Sequence, residues 1–417
     1  MKRLAPVALA VLLVALAVYP RFASGYGTRA MLQIFMWVAL AGSWNIISGL
    51  TGYVSFGHVA FFGAGAYTAG ILIASSGWSW PLASLAGGVA AAVLALGIGV
   101  PCLRLKGPYF AIAMLGLNEV LRALVFLSLY PMTATGYGIR VMLQLFMWIA
   151  LAQSWNLISG LTGYVSFGHV AFFGIGSYAT AILILKAGWP WLPAALAGGA
   201  AAVVLALVIG YPCLRLKGPY FAIAMLGLNE VLRVLVSYFE GLTGGGLGLS
   251  LPTLQATLPI YYVMGGAAAA VTLMTNFIVT SRFGLRLMTI REDEVAAEAM
   301  GIDTFRHKLG ALLLSAVGPG IVGGLAARDQ GYIEPISVFP LATTITMIVM
   351  VLFGGKGTVW GPVLGASVLF VFQEAVWARF IYLHQLLFGA IIVAVVLLMP
   401  RGVLGLLQQR YRLPRTI

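Results

Sequence analysis

Apolar stretches of about 20 residues recur along the whole chain, separated by short polar or glycine- and proline-containing turns. Each is long enough to cross a hydrocarbon core of about 30 Å as a helix. The pattern predicts an all-α fold, a polytopic transmembrane helical bundle of about 14 spans. Their centres fall near residues 12, 40, 64, 91, 118, 151, 175, 202, 229, 270, 318, 346, 367 and 390.

A direct repeat runs through this pattern. GLTGYVSFGHVAFFG begins at Gly49 and again at Gly160, an offset of 111 residues. At that offset Gly25 to Leu124 aligns without a gap on Gly136 to Leu235, with about three-quarters of the positions identical. The differences are expected at lipid-facing or loop positions: Ser75 corresponds to Lys186, Gly42 to Gln153, and the loop Trp-Ser-Trp-Pro-Leu to Trp-Pro-Trp-Leu-Pro. Each copy carries four spans, an even number, so the duplication leaves the orientation of everything downstream unchanged. The organisation read from this is a first span or signal-anchor over 1–24, copy one over 25–124 and a fusion junction over 125–135. Copy two follows over 136–240, then an outer loop and span over 241–281, a polar segment over 282–308, and four spans with a basic tail over 309–417.

Composition sharpens this reading. Hydrophobic residues make up 61% and charged residues 8%, with mean hydropathy +1.01, which excludes a soluble protein. The net charge of +13 raises nucleic-acid binding, but the basic residues are scattered between apolar runs and form no patch with interleaved aromatics, so no nucleic acid is expected. With the N-terminus in the cytoplasm, sixteen of the 24 basic residues fall on that side, including Arg104, Lys106, Arg215, Lys217 and Lys308, as the positive-inside rule requires. Both termini are then cytoplasmic. Cys102 and Cys213 occupy matching repeat positions and read as small buried thiols, and the four histidines form no close pair, so no metal site is expected. No GxxxxGK[ST] pattern is present, so this chain should bind no nucleotide cofactor and should not itself hydrolyse ATP.

The longest polar insertion is Arg282 to Lys308. Glu292, Asp293 and Glu294 suit a helix N-terminus, Ala296, Ala297 and Met300 offer a small apolar face, Glu298 keeps the other side polar, and Gly301 ends the turn. Such a helix docks on a partner, or else is a solvated loop. The glycines of the repeated motif, Gly52, Gly57, Gly63 and Gly65 with Gly163, Gly168, Gly174 and Gly176, interrupt apolar runs. They read either as broken helices beside a cavity or as close helix contacts. In the same segments Ser166 and His169, like Ser55 and His58, either line a path or bond a neighbouring helix. Asn156 and Asn45 precede the breaks and read as interhelical glue. Glu119 and Glu230 lie mid-span, where an acid needs a partner or a wet cavity; Asn118 and Asn229 precede them, and Arg122 and Arg233 follow one helical turn later. Asp329 and Glu334 fall in an expected outer loop after a Gly-Pro-Gly break at Gly318 to Gly320.

The stretch IREDEVAAEAMGI resembles the cytoplasmic coupling loop of permeases of the branched-chain amino acid type of ATP-binding-cassette importers. GLTGYVSFGHVAFFG in both copies, LGLNEVLR from Leu115 and Leu226, and FGGKGTVWGPVLGA from Phe353 are similar to the same family, in the same order. The resemblance implies an inner-membrane permease subunit that contacts its ATPases through residues 292–301. Two cytoplasmic ATPase subunits carrying the ATP, a second related permease subunit and a periplasmic substrate-binding protein are the partners it implies, within membrane lipid. It implies a translocation path past Asn156, Gly163, Ser166, Gly168, His169, Asn229 and Glu230. The equivalents in the first copy are Asn45, Gly52, Ser55, Gly57, His58, Asn118 and Glu119. Copy two is expected to occupy the conducting position because it runs directly into the remaining spans. The alternatives are an ion-coupled carrier working through Glu119 and Glu230, or a non-functional fused permease.

Overall fold

The computed structural model describes residues 18–51, 55, 57–102, 136–252 and 257–377. They form an all-α polytopic bundle in which ten helices are long and apolar enough to cross a membrane. These ten coincide with ten of the expected centres, and a further helix, Trp360–Trp377, covers the centre near 367. The centres near 12, 118 and 390 and the junction at 125–135 lie outside the described residues. The chain divides into two compact units, Met1–Met132 and Thr133–Ile417.

The first unit holds α1 (Gly25–Trp44), α2 (His58–Ser76) and α3 (Trp80–Cys102). Ser24 caps α1 by accepting a hydrogen bond from the Gly27 amide at 3.3 Å, and α1 runs into a π-helical turn at Asn45–Gly49. The helix α2 stops at Gly77, whose φ of 63° is the left-handed conformation of a C-terminal glycine. A Cβ on Gly87 would sit 2.4 Å from the Gly65 carbonyl oxygen, so α2 and α3 pack backbone to backbone.

The second unit starts with the same three helices at the same offset: α4 (Gly136–Trp155), α5 (His169–Ala187) and α6 (Trp191–Cys213). It continues with α7 (Pro219–Tyr238), α8 (Leu258–Thr280), α9 (Arg282–Glu292) and α10 (Glu294–Ala299). The last three are α11 (Thr304–Gln330), α12 (Leu341–Gly354) and α13 (Trp360–Trp377). A two-residue antiparallel bridge, β1 (Leu249–Ser250) with β2 (Tyr332–Ile333), ties the loop after α7 to the end of α11.

At the centre of this unit is α11, packed on α4, α5, α6 and α8. Lipid supplies no hydrophobic force between helices, so close packing by small residues must hold them. A Cβ on Gly176 would lie 2.1 Å from the Gly320 oxygen, and one on Gly323 2.2 Å from the Phe173 oxygen. The expected Gly-Pro-Gly break does not form: α11 continues through Pro319, and Gly318 and Gly320 press on Ser154 and Ala202. Asp329, expected in a loop, therefore sits in the last turn of α11. Gln153 also departs from expectation. It is not lipid-facing but fully buried, and its Nε2 donates to the Val359 carbonyl at 2.5 Å. Cys213 is a buried free thiol.

Candidate functional site

The polar segment between α8 and α11 folds as two short helices and a glycine turn. Asp293 caps α10, its Oδ1 accepting from the amides of Val295 at 2.9 Å and Ala296 at 3.0 Å. Glu292 belongs to the last turn of the preceding α9. Gly301 closes the segment at φ 80°, where a side chain would strain the backbone. The apolar face differs from the sequence reading at one position. Ala297 is fully buried against the bundle, while Val295 and Met300 are 67% and 66% exposed. Ala296 and Glu298 are exposed as well. The outward face is thus Val295, Ala296 and Met300.

The inner side of α10 is a buried ion-pair network. Lys308, in the second turn of α11, is 2% exposed. Its ammonium donates to Glu294 Oε1 at 2.6 Å and to the Tyr164 hydroxyl oxygen at 2.9 Å. The Tyr164 hydroxyl in turn donates to Glu294 Oε2 at 2.5 Å. Thr304 donates to Glu298 Oε1 at 2.7 Å and approaches Glu294 Oε1 at 3.3 Å. Burial raises the Glu294 pKa, but the hydrogen bonds from Lys308 and Tyr164 outweigh it and hold the carboxyl below its ordinary value. The Glu294 carboxylate and the Lys308 ammonium are therefore counter-charges to each other in this partly dry pocket.

Tyr164 comes from the interruption between α4 and α5. After α4 the chain makes a π-helical turn at Asn156–Gly160, the kind of irregularity that frees a carbonyl from its usual partner. The Gly160 carbonyl accepts from Arg291 Nη1 at 3.2 Å. Asn156 reaches the other way: Nδ2 donates to the Thr358 carbonyl at 2.9 Å and Oδ1 accepts from the Gly357 amide at 2.7 Å. Gly163 adopts φ 80°, and a Cβ there would meet Arg291 Cγ at 3.2 Å. The interruption is stitched by Trp155 Nε1 donating to the Ser166 carbonyl at 2.9 Å and the Ser166 amide donating to Ser159 Oγ at 3.1 Å. His169, the first residue of α5, is fully buried with Nδ1 3.4 Å from Ser166 Oγ.

The motif glycines of copy two fall in two places. Gly163 and Gly168 lie in the interruption, whereas Gly174 and Gly176 are close-contact positions inside α5, under the Phe339 ring and the Gly320 backbone. Gly168 faces α7, where a Cβ would be 2.2 Å from the Met225 oxygen. Four residues along α7, Asn229 is buried and donates to the Phe339 carbonyl at 3.0 Å. Glu230 and Arg233 form a bidentate pair one turn apart on the exposed side of α7.

These groups border two clefts along α7. One of about 620 Å³ is lined by Thr162, Tyr164, Phe167, Pro219, Arg291 and Asp293. The other, of about 580 Å³, is lined by Ile223, Leu226, Asn229, Glu230, Arg233 and Phe339. Among the described residues no three His, Cys, Asp or Glu side chains come together to hold a metal.

Copy one repeats the local geometry. Trp44 Nε1 donates to the Ser55 carbonyl at 3.0 Å, the Ser55 amide to Ser48 Oγ at 3.1 Å, and His58 Nδ1 lies 3.0 Å from Ser55 Oγ. Gly57 precedes α2 as Gly168 precedes α5. Asn45 folds over Gly49 as Asn156 folds over Gly160. Gly52, Asn118 and Glu119 lie outside the described residues.

The sequence reading did not single out Lys308, Tyr164, Thr304 or Arg291. Lys308 was readable as a charge: a lysine one turn into an apolar span needs an acid, and the acids nearby are those of residues 292–298 and Asp303. Tyr164 carries no such signal, because its partner lies 130 residues away.

Comparison with known proteins matches this architecture to a family. The family model for the branched-chain amino acid transport system permease component matches twice, over residues 26–136 and again over 137–396. The high-affinity branched-chain amino acid transport system permease protein LivM of Salmonella typhimurium is 26% identical over 350 residues, covering 74% of this chain and 81% of LivM. The Escherichia coli LivM is 26% identical over 348 residues, with the same coverage. The permease LivH of Escherichia coli is 26% identical over 286 residues, 61% of this chain and 90% of LivH. No solved structure gives a significant match. The chain belongs to the branched-chain amino acid transport system permease family.

Proposed function

We propose that this chain is the transmembrane subunit of an ATP-binding-cassette importer that moves branched-chain or related amino acids inward by alternating access. ATP is bound and hydrolysed on two separate cytoplasmic subunits. A second permease subunit, related as LivH is to LivM, completes the channel, and a periplasmic binding protein delivers the solute. The chain spans a bacterial-type inner membrane with both termini in the cytoplasm.

The observation that carries this reading is the 282–308 segment. It stands between two spans, presents Val295, Ala296 and Met300 outward, and is anchored inward by Lys308, Tyr164 and Arg291. A short helix with an exposed apolar face and a rigid root is suited to receive a push from a partner. The cleft along α7 fits the solute class: Ile223, Leu226 and Phe339 offer an aliphatic wall, and Asn229, Glu230 and Arg233 offer groups for an ammonium and a carboxylate. The Glu230–Arg233 pair would be costly against lipid, so that face of α7 meets water or the second permease. Copy two, which holds these residues, is the conducting copy.

Co-purification with the ATPase subunits tests the reading. Val295→Arg with Met300→Arg changes only exposed residues, and the double variant should lose ATPase that the unsubstituted chain retains. Retention by the double variant, or no ATPase with the unsubstituted chain, would contradict it; the second result would favour a carrier that runs without ATP.

A further inference from the structure

We infer that Tyr164, Glu294 and Lys308 are positioning residues that carry movement of α10 into the interruption of copy two, and that Arg291 forms a second strand of the same link. The inference rests on the coupling role proposed above and adds where the push goes.

The geometry is specific. Glu294 and Lys308 face the bundle, with side chains 15% and 3% exposed, so an ATPase docking on the outer face of α10 does not reach them. Both carboxylate oxygens of Glu294 are engaged, one by Lys308 and the other by Tyr164. Lys308 closes the ring by donating to Tyr164. Three separate pieces of chain meet in this triad: α10, the start of α11 and the interruption before α5. The Tyr164 ring lies edge-on against Phe221 of α7, with centroids 5.2 Å apart. From the last turn of α9, Arg291 fills the space beside Gly163 and holds the Gly160 carbonyl.

A displacement of α10 away from Lys308 and Tyr164 would strand a buried ammonium and a largely buried carboxylate, which is strongly unfavourable, so the three move together. The interruption is the yielding part of this region, since its backbone turns at Gly163 and is stitched by side chains in place of helix bonds. From Gly168 the backbone touches Met225, one turn from Asn229 and Glu230. The contacts run from α10 to Tyr164, Gly168 and α7, and the last three all belong to copy two. A chain of contacts is not coupling by itself, so the test must read motion.

The experiment uses the full transporter with its partner subunits, with Cys102 and Cys213 replaced by serine. Val165→Cys places a thiol on the interruption at a residue 38% exposed. Its rate of maleimide labelling is compared with the ATPases empty and trapped with ADP-vanadate. Trapping should change that rate by at least about fivefold. Glu294→Gln, Lys308→Met and the conservative Tyr164→Phe should each remove most of the change while ATPase still co-purifies, and Glu294→Gln combined with Lys308→Met should do no more than either alone. An undiminished change in Glu294→Gln and Tyr164→Phe would overturn the link, as would no change on trapping in the unsubstituted triad. Loss of ATPase from the Glu294→Gln complex would make Glu294 a docking residue and also overturn it. Absence of ATPase from the complex with an intact triad would instead sink the coupling role on which the link rests.

Discussion

Copy one and copy two are an internal control on what a sequence encodes. Their helices begin and end at equivalent residues, both contain a π-helical turn, and both stitch the following interruption with the same tryptophan and serine bonds. Their surroundings differ. Over 18-residue windows of the spans that contain α4 and α5, 61% and 56% of the residues are buried, against 0% and 6% for those of α1 and α2. The substitutions that separate the copies include the positions where copy two grips the bundle. Gln153, bonded to Val359, is Gly42 in copy one. Ser177, bonded to the Gly323 carbonyl, is Ala66. Thr180, which reaches the Ala194 carbonyl and lies beside Gly324, is Ala69. Local shape is written in both copies, and the contacts that seat it on α11 and the 355–359 loop are written in copy two.

Matched substitutions can break this comparison. The largest effect is expected at the glycines. Gly174 lies 2.2 Å (as a Cβ) from Phe339, while its counterpart Gly63 meets no described atom of its unit within 4 Å. Gly174→Leu should cost at least about 3 kcal/mol, the upper range for overpacking, and Gly63→Leu less than about 0.5 kcal/mol. Thermal unfolding of the detergent-solubilised protein reads both. Gly199, against Ile321, and Gly88, with open space, form a second such pair.

Next comes Gln153→Gly, which gives copy two the residue of copy one. It leaves the Val359 carbonyl without its donor and should cost about 1–2 kcal/mol by the same assay, whereas Gly42→Gln should be neutral. A neutral Gln153→Gly would mean that the divergence at this position does not matter for seating the repeat.

The smallest effect is one of pH. The Glu294 pKa is lowered in the fold from an ordinary value near 4.5, so the stabilisation it lends is complete above that value and is lost as pH falls through the lower folded value. Stability should therefore decline in acid below about pH 4.5, and Glu294→Gln should remove that part of the decline. An unchanged acid profile in the variant would place the titration elsewhere.

These pairs also show how far the sequence could be read. The spans, the repeat and the short helix at 294–299 follow from local pattern, because hydropathy, caps and glycine conformations act over a few residues. What the pattern could not give is which side of a helix meets which other helix. Gly42 and Gln153 looked like a lipid-facing exchange, yet Gln153 has its partner 206 residues away. Ala297 shared the small apolar character of Ala296, and only the position of the bundle made one buried and the other exposed. Gly318–Pro319–Gly320 reads as a break in isolation, but the neighbours that need those glycines also keep the helix continuous. Lys308 was legible as a charge in need of an acid, but not which of the neighbouring acids it meets.

The most direct test of the claim that copy two is the conducting copy is uptake of radiolabelled leucine by cells carrying the full transporter, with Asn156→Leu compared with Asn45→Leu and normalised to membrane-inserted protein. Asn156 holds the 355–359 loop at Gly357 and Thr358, so Asn156→Leu should reduce uptake to near background while Asn45→Leu leaves it within about twofold. Equal loss in both, or loss in Asn45→Leu alone, would contradict the account.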